Sequence, residues 1–268
     1  MVTQDHRRVA PGWRQPGDEE TGEPGVAAPG PPRPRRGGAA QPRRWLEQTL
    51  LGRLPPASRA GLLALGGFRE FPAGTPIMRE GDPTTFVAVL LSGWTKVTAL
   101  TDDGGIALLA VRHGGDLVGE FAGIDAQPRS ATVTAVGPVL TKVIRAEEFG
   151  AYLATDPMTS AAISQSIVAK TRFSIRRRVE FAGCSAPVRV ARVLVELDRS
   201  YGVDRRDGGR ELGVPLTQSE LAALVGAQDP TVHKALRALR RAGVIETGYR
   251  RTTILDLPAL RAAAGLPR

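Results

Sequence analysis

From Met158 to Phe181 the chain contains neither glycine nor proline, although 31 glycines and 21 prolines are spread over its 268 residues. So long a gap predicts one uninterrupted helix, because these two residues are the commonest helix breakers. Ile163, Ile167, Val168, Thr171, Ile175 and Val179 recur at helical spacing along it, while the rest of its surface is polar. A polar helix of this length needs a partner, and the natural one is its own copy in a second subunit, in a parallel dimer.

The preceding region has a different rhythm. Between Phe68 and Ile144, short apolar runs alternate with turn residues at Pro72-Ala73-Gly74, Gly81-Asp82, Ser92-Gly93, Asp102 to Gly105, Gly114-Gly115-Asp116 and Gly137-Pro138. That pattern predicts a small β-barrel or sandwich. Its strands are expected at Thr75 to Met78, Phe86 to Leu91, Thr95 to Leu100, Ile106 to Val111, Thr132 to Val136 and Leu140 to Arg145.

Downstream, Leu216 to Leu236 reads as two short helices joined by a tight turn. Thr217 can cap the first, whose Leu221 and Leu224 face inward, and Gly226 permits the turn. Pro230 stands in the first turn of the second helix, where its missing N–H is not needed. Val232, Leu236 and Leu239 form a buried stripe, and Thr231, His233, Lys234, Arg237, Arg240 and Arg241 populate the remaining surface. Gly243 to Glu246 and Thr252 to Leu255 flank a turn at Gly248 as a wing would. The reading is a winged helix-turn-helix, a device for entering the major groove of double-stranded DNA; the bland alternative is a two-helix corner with a solvated basic face. Leu257 to Gly265 reads either as a last helix on the wing or as a frayed end.

Charge separates the regions. Residues 1–44 carry +3, residues 45–156 carry −3 and residues 157–268 carry +9, so the polyanion-binding role falls on the C-terminal third. Residues 1–44 are rich in Pro, Gly, Ala and Arg, with little to bury, and read as a disordered tail, either a dispensable extension or a source of nonspecific phosphate contacts. The tail lacks the continuous apolar stretch of a secretory signal, and no segment approaches the roughly 20 apolar residues of a membrane span. The single cysteine, Cys184, excludes an internal disulfide, so the expectation is a cytoplasmic protein without membrane contact. No Ser/His/Asp arrangement, metal-ligand cluster or Gly-x-x-x-x-Gly-Lys loop is found, and His6 lies in the tail; neither an enzyme nor a metal site is expected.

The stretch Gly115 to Ala131 carries a resemblance. Gly119-Glu120, followed nine residues later by Arg129-Ser130, resembles the phosphate-binding cassette of the Crp/Fnr superfamily. The order of barrel, long helix and winged helix-turn-helix is similar too, over residues 45 to about 256. The resemblance implies an α+β fold: a cyclic-nucleotide-binding β-barrel (double-stranded β-helix or jelly roll) over 45–156, a dimerisation helix over 157–183 and a DNA-binding winged helix-turn-helix over 184–268. It implies that Glu120 accepts from the ribose hydroxyl, that Arg129 and Ser130 engage a cyclic phosphate, and that Gly119 lets the backbone approach. A guanidinium matches phosphate oxygens and a carboxylate accepts a sugar hydroxyl. The implied effector is a cyclic nucleotide, cyclic AMP first.

Two departures bear on this. Cyclic-AMP receptors grip the purine with consecutive hydroxyl residues on the dimer helix, whereas Arg172-Phe173-Ser174-Ile175-Arg176 offers Ser174 alone, with Phe173 able to stack on a base. Cyclic GMP and cyclic dinucleotides therefore stay open, as does a constitutive regulator in which Glu120 and Arg129 form an internal salt bridge. Second, the Arg-Glu pair and the following Arg that read DNA in those receptors correspond here to Asp229, Pro230 and Lys234, which implies a different operator. Gln228, Asp229, His233 and Lys234 are the expected base contacts, with Thr217, Gln218, Thr231 and Arg237 nearer the backbone; Asp229 reads equally as a helix cap. One cysteine excludes an iron-sulfur cluster with four thiolate ligands. Haem would need His113 or Cys184, but His113 beside Gly114-Gly115 reads as solvent-exposed and Cys184 as a small buried residue of the hinge around Gly183 to Pro187. The implied mechanism is an effector touching both barrel and dimer helix, shifting the hinge and so the register of two winged domains on a two-fold related operator, with RNA polymerase a possible further partner.

Overall fold

The computed structural model describes residues 45–102, 104–206 and 208–267; the N-terminal tail and His6 lie outside the described residues. Two short helices, α1 (Leu50–Arg53) and α2 (Pro56–Ala64), precede strands β1 (Gly67–Phe71), β2 (Pro76–Met78), β3 (Val87–Ser92), β4 (Trp94–Leu100), β5 (Ile106–His113), β6 (Leu117–Val118), β7 (Thr132–Ala135) and β8 (Val139–Ile144). A helix, α3 (Glu120–Asp125), lies between β6 and β7. The strands form two four-stranded antiparallel sheets, ordered β1-β8-β3-β6 and β2-β7-β4-β5.

The run Val87 to Leu91 shows why the barrel sits where it does. Ala88 and Leu90 face the second sheet, with Phe71, Ile77, Val118 and Val133. Val87, Val89 and Leu91 point the other way, onto Leu51, Leu54, Leu62, Phe149 and Ile163. A strand buried on both faces loses polar alternation, and this one reads as unbroken hydrophobicity. Phe149 belongs to α4 (Ala146–Thr155) and Ile163 to α5 (Pro157–Gly183), so the long helix is clamped to the barrel by its N-terminal half.

Asp156 joins the two helices. Its Oδ1 accepts from Met158 N (3.2 Å) and Ser58 Oγ (3.1 Å), and its Oδ2 from Thr159 Oγ1 (2.7 Å) and Tyr152 Oη (2.8 Å). The hydrogen bond from Thr159, then that from Tyr152, holds the carboxyl down at about 2. A carboxyl depressed in the folded state stabilises above its unfolded pKa, near 3.9, and that contribution is lost as pH falls toward 2. Asp156→Asn is therefore expected to lower the thermal midpoint at pH 7 and to flatten its fall between pH 4 and 2, measured by circular dichroism. A parallel displacement of both pH curves would refute the assignment.

The C-terminal region comprises α6 (Ala186–Tyr201), β9 (Val203–Asp204), β10 (Arg210–Glu211), α7 (Gln218–Val225), α8 (Asp229–Arg241), β11 (Ile245–Gly248), β12 (Arg251–Ile254) and α9 (Leu257–Ala263). Val190, Leu194 and Leu197 of α6 meet Leu221, Leu224, Val232 and Leu236 in one core. The wing differs from expectation in two ways. Its turn falls at Tyr249-Arg250, with Arg250 at φ +50°, rather than at Gly248. It is also part of a four-stranded sheet, ordered β11-β12-β10-β9. The terminal segment is a helix, anchored by fully buried Leu260 and packed against α6.

Barrel and C-terminal region share a contact. Leu108 and Val111 of β5 join the C-terminal core, and Tyr201 Oη donates to Val111 O at 2.8 Å. His113 corrects the sequence reading: it is 8% exposed, packed edge-on against Trp94 (4.9 Å) and Tyr201 (5.1 Å), its Nδ1 2.6 Å from Gly114 O. Lys96 of β4 pairs with Glu220 of α7. Among the described residues, no helix is long and apolar enough to cross a membrane.

Candidate functional site

The cassette begins where β6 ends. Gly119 takes φ +81°, and a Cβ there would lie 2.6 Å from Arg129 Nη1. Only glycine allows both the left-handed backbone and this approach. Helix α3 follows and ends on Ala126 at φ +55°. The chain then returns as an extended loop held to the Gly81-Asp82 turn: Arg129 N donates to Asp82 O (2.9 Å) and Gly81 N to Arg129 O (2.8 Å).

This frame turns the Arg129 side chain inward, leaving it 3% exposed. Nη1 donates to Gly119 O (3.0 Å), Nη2 to Phe86 O (2.6 Å) and Nε to Thr84 Oγ1 (3.2 Å), while the guanidinium lies 4.6 Å from the Phe86 ring centroid. Burial lowers its pKa, and Asp82 and Glu120 partly offset that. Glu120 is buried and accepts from Lys170 Nζ of α5 at 2.7 Å; the same ammonium donates to Leu117 O at 2.8 Å. The constitutive alternative expects an internal salt bridge between Glu120 and Arg129. Instead the carboxylate pairs with Lys170, a residue from the long helix that no local pattern would single out.

Above these groups opens a cavity of about 590 Å³. Gly119, Glu120, Arg129 and Ser130 line one side, and Lys170, Thr171, Phe173, Ser174, Arg177 and Arg178 of α5 another. Phe181, Ala223 and Gly226 close the end toward the helix-turn-helix. The five residues expected to hold an effector thus border one space, joined by Thr171, Arg177 and Arg178. Arg177 is 8% exposed; its guanidinium lies near the Phe173 and Phe181 rings and donates to Leu109 O (3.2 Å). Burial lowers its pKa, against the pull of Glu196 and Glu180.

The residue types suit a cyclic nucleotide: a glycine cradle, an inward guanidinium beside the Ser130 hydroxyl, a buried carboxylate and an apolar wall. Among the described residues, no group of three or more His, Cys, Asp or Glu side chains that could hold a metal ion is assembled.

The second candidate surface is α8. Thr217 Oγ1 accepts from Glu220 N (3.2 Å) and Glu220 Oε2 from Thr217 N (2.8 Å), a reciprocal cap that starts α7. Gly226 at φ +66° ends it, and Pro230 sits in the first turn of α8. Val232 and Leu236 are buried, whereas Gln218, Gln228, Thr231, Lys234 and Arg237 are exposed, with Arg240 and Arg241 extending the same cationic surface. His233 and Thr217 are half-buried. Gln228 is the N-cap of α8, so Asp229 is not; its Oδ2 accepts from Ser219 Oγ at 2.5 Å, tying α8 to α7.

Comparison with known proteins agrees with this architecture. A cyclic nucleotide-binding domain model matches residues 68–156, and a Crp-like helix-turn-helix domain model matches residues 188–263. A CRP-like cAMP-activated global transcriptional regulator from Mycobacterium tuberculosis is 27% identical over 195 residues, covering 73% of this chain and 87% of that protein. The cyclic AMP receptor protein of Thermus thermophilus is 29% identical over 191 residues, covering 69% and 83%. The structure of FixK2 from Bradyrhizobium japonicum superposes with TM-score 0.67 at 18% identity, covering 76% of this chain and all of that one. Carrying both family domains in that order, with the long helix between them, the chain belongs to the Crp/Fnr superfamily of DNA-binding transcriptional regulators.

Proposed function

We propose that the chain works as a homodimer whose affinity for a two-fold related operator is set by a cyclic nucleotide, cyclic AMP first, held between the cassette and α5. In this reading residues 45–156 sense, 157–183 dimerise and 184–268 read DNA, within the cytoplasm. The observation that carries it is the single cavity bordered by Arg129 of the cassette, Ser174 of α5 and Gly226 of the helix-turn-helix. A ligand there touches all three regions, and so has differential affinity for their arrangements, without which it could shift nothing. Arg129 and Ser130 receive the phosphate, Glu120 exchanges Lys170 for the sugar hydroxyl, and Phe173 and Ser174 face the base. Freeing Lys170 from Glu120 alters the seat of α5 on the barrel, which is how occupancy reaches the hinge at Cys184-Ser185. Gln228, His233 and Lys234 then face base edges and Thr217, Gln218, Thr231 and Arg237 the backbone. Asp229 is assigned to holding α8 in place.

Calorimetric titration with cyclic AMP, cyclic GMP and cyclic dinucleotides tests this. Saturable binding is expected, weakened at least about tenfold in Arg129→Ala, as befits loss of a charge-assisted pair. One observation favours a second reading: Arg129 and Glu120 already have partners in Phe86, Gly119, Thr84 and Lys170. If none of these ligands binds and Arg129→Ala lowers only the thermal midpoint, the cassette is structural and the regulator constitutive.

A further inference from the structure

A second cavity, of about 540 Å³, opens on the opposite flank of α5, the one bearing Ala169, Arg172 and Arg176 rather than Thr171, Ser174 and Arg178. Its other walls come from α1, β5 and α6. Arg53, Arg112, Arg172, Arg176 and Arg199 line it, against the carboxylates of Asp116 and Glu196. Asp116 Oδ2 already accepts from His113 N at 3.1 Å. None of these five arginines forms a close ion pair among the described residues, although the Glu196 charge is favoured by Arg176 and Arg199 and that of Arg112 by Asp116.

Like charges lining one partly enclosed space repel one another, so such clusters are found where an anion offsets them. Arg53, Arg172, Arg176 and Arg199 are exposed, as on a solvated basic face. Here Arg112 instead stands in the wall of both cavities, half-buried, its charge favoured over the cost of burial by Tyr201, Asp116 and Glu120. We propose that this cavity binds a small polyanion bearing two or more phosphate charges, gripped by Arg172, Arg176 and Arg199 over Arg112. Guanidinium forks match phosphate oxygens in geometry as well as charge. Lys170, Phe173 and Arg177 line both cavities with Arg112, but Arg172, Arg176 and Arg199 line this one and not the other, and Gly119, Glu120, Arg129 and Ser130 do not line it.

Inorganic tripolyphosphate is the probe, titrated calorimetrically into the full chain at constant ionic strength. Saturable binding is expected, at least about tenfold weaker in Arg172→Gln/Arg176→Gln/Arg199→Gln and within about twofold of wild type in Arg237→Gln/Arg240→Gln. The three replaced arginines are exposed, so the variant is expected to fold, and its thermal midpoint verifies this. Absence of saturable binding, loss confined to the α8 variant, or stoichiometric displacement by cyclic AMP would each overturn the proposal.

Discussion

In the homodimer proposed above, replacing Ile175 by Asp is expected to leave a monomer and to weaken its hold on the proposed two-fold operator by roughly a hundredfold or more, because two linked half-site contacts become one. Val168, Ile175 and Val179 of α5 are 51%, 58% and 66% exposed, on a helix whose other flank is clamped to the barrel through Ile163. Val168 and Ile175 are seven residues apart, the repeat that keeps a seam facing a partner helix. Burying one such side chain contributes about 1.5–3 kcal/mol, and a carboxylate in its place adds desolvation without a counter-ion. Light scattering coupled to size exclusion gives the mass, and fluorescence anisotropy the affinity. Ile175→Leu, which keeps the apolar volume, is the control. An unchanged dimer in Ile175→Asp would remove α5 as the seam and with it the arrangement proposed for the operator complex.

What sequence alone could foresee follows the range of the interactions concerned. The Thr217 cap, the turn at Gly226 and Pro230 in α8 were readable because each is decided within a few residues. The same holds for β2 to β5, β7 and β8, whose apolar runs and turns are local, whereas the two-residue β6 is not among the expected strands. The expectation lacks strand β1: Gly67 to Glu70 are exposed, so no alternation marks it, and its pairing with β8 joins residues about seventy apart. The expectation also lacks helix α6, although Val190, Leu194, Leu197 and Tyr201 recur at helical spacing. His113 went wrong for a physical reason. Its neighbours Gly114 and Gly115 announce a turn, yet it is buried by Tyr201, eighty-eight residues later in the chain. The cassette was readable as a pattern, and Lys170 was not, since the Lys170–Glu120 pair exists only once α5 lies along β6.

Gly226→Val is expected to cost about 3 kcal/mol, roughly 1–2 of it from forcing a β-branched residue into the left-handed region and the remainder from displacing its neighbour. Gly226 sits at φ +66°, and a Cβ there would lie 2.8 Å from the Phe181 ring. That ring belongs to the end of α5, and Arg189 ties the two together: its guanidinium lies 5.2 Å from the ring centroid, while Nη2 donates to Gly226 O (3.1 Å) and Nη1 to Phe181 O (3.2 Å). The position therefore fixes the angle between α7 and α8 and the seat of both on α5. For a chain of this size such a loss lowers the thermal midpoint by about 6–12 °C. Operator affinity is expected to fall further than stability alone requires, because α8 enters the groove at a changed angle. Gly226→Asn separates the causes. Asparagine tolerates the left-handed backbone but brings the same Cβ, so it should retain most of the stability while still displacing Phe181. If Val and Asn prove equally destabilising, backbone strain is not the cause; if both bind operator as the wild type does, the angle at Gly226 does not govern the DNA-reading geometry.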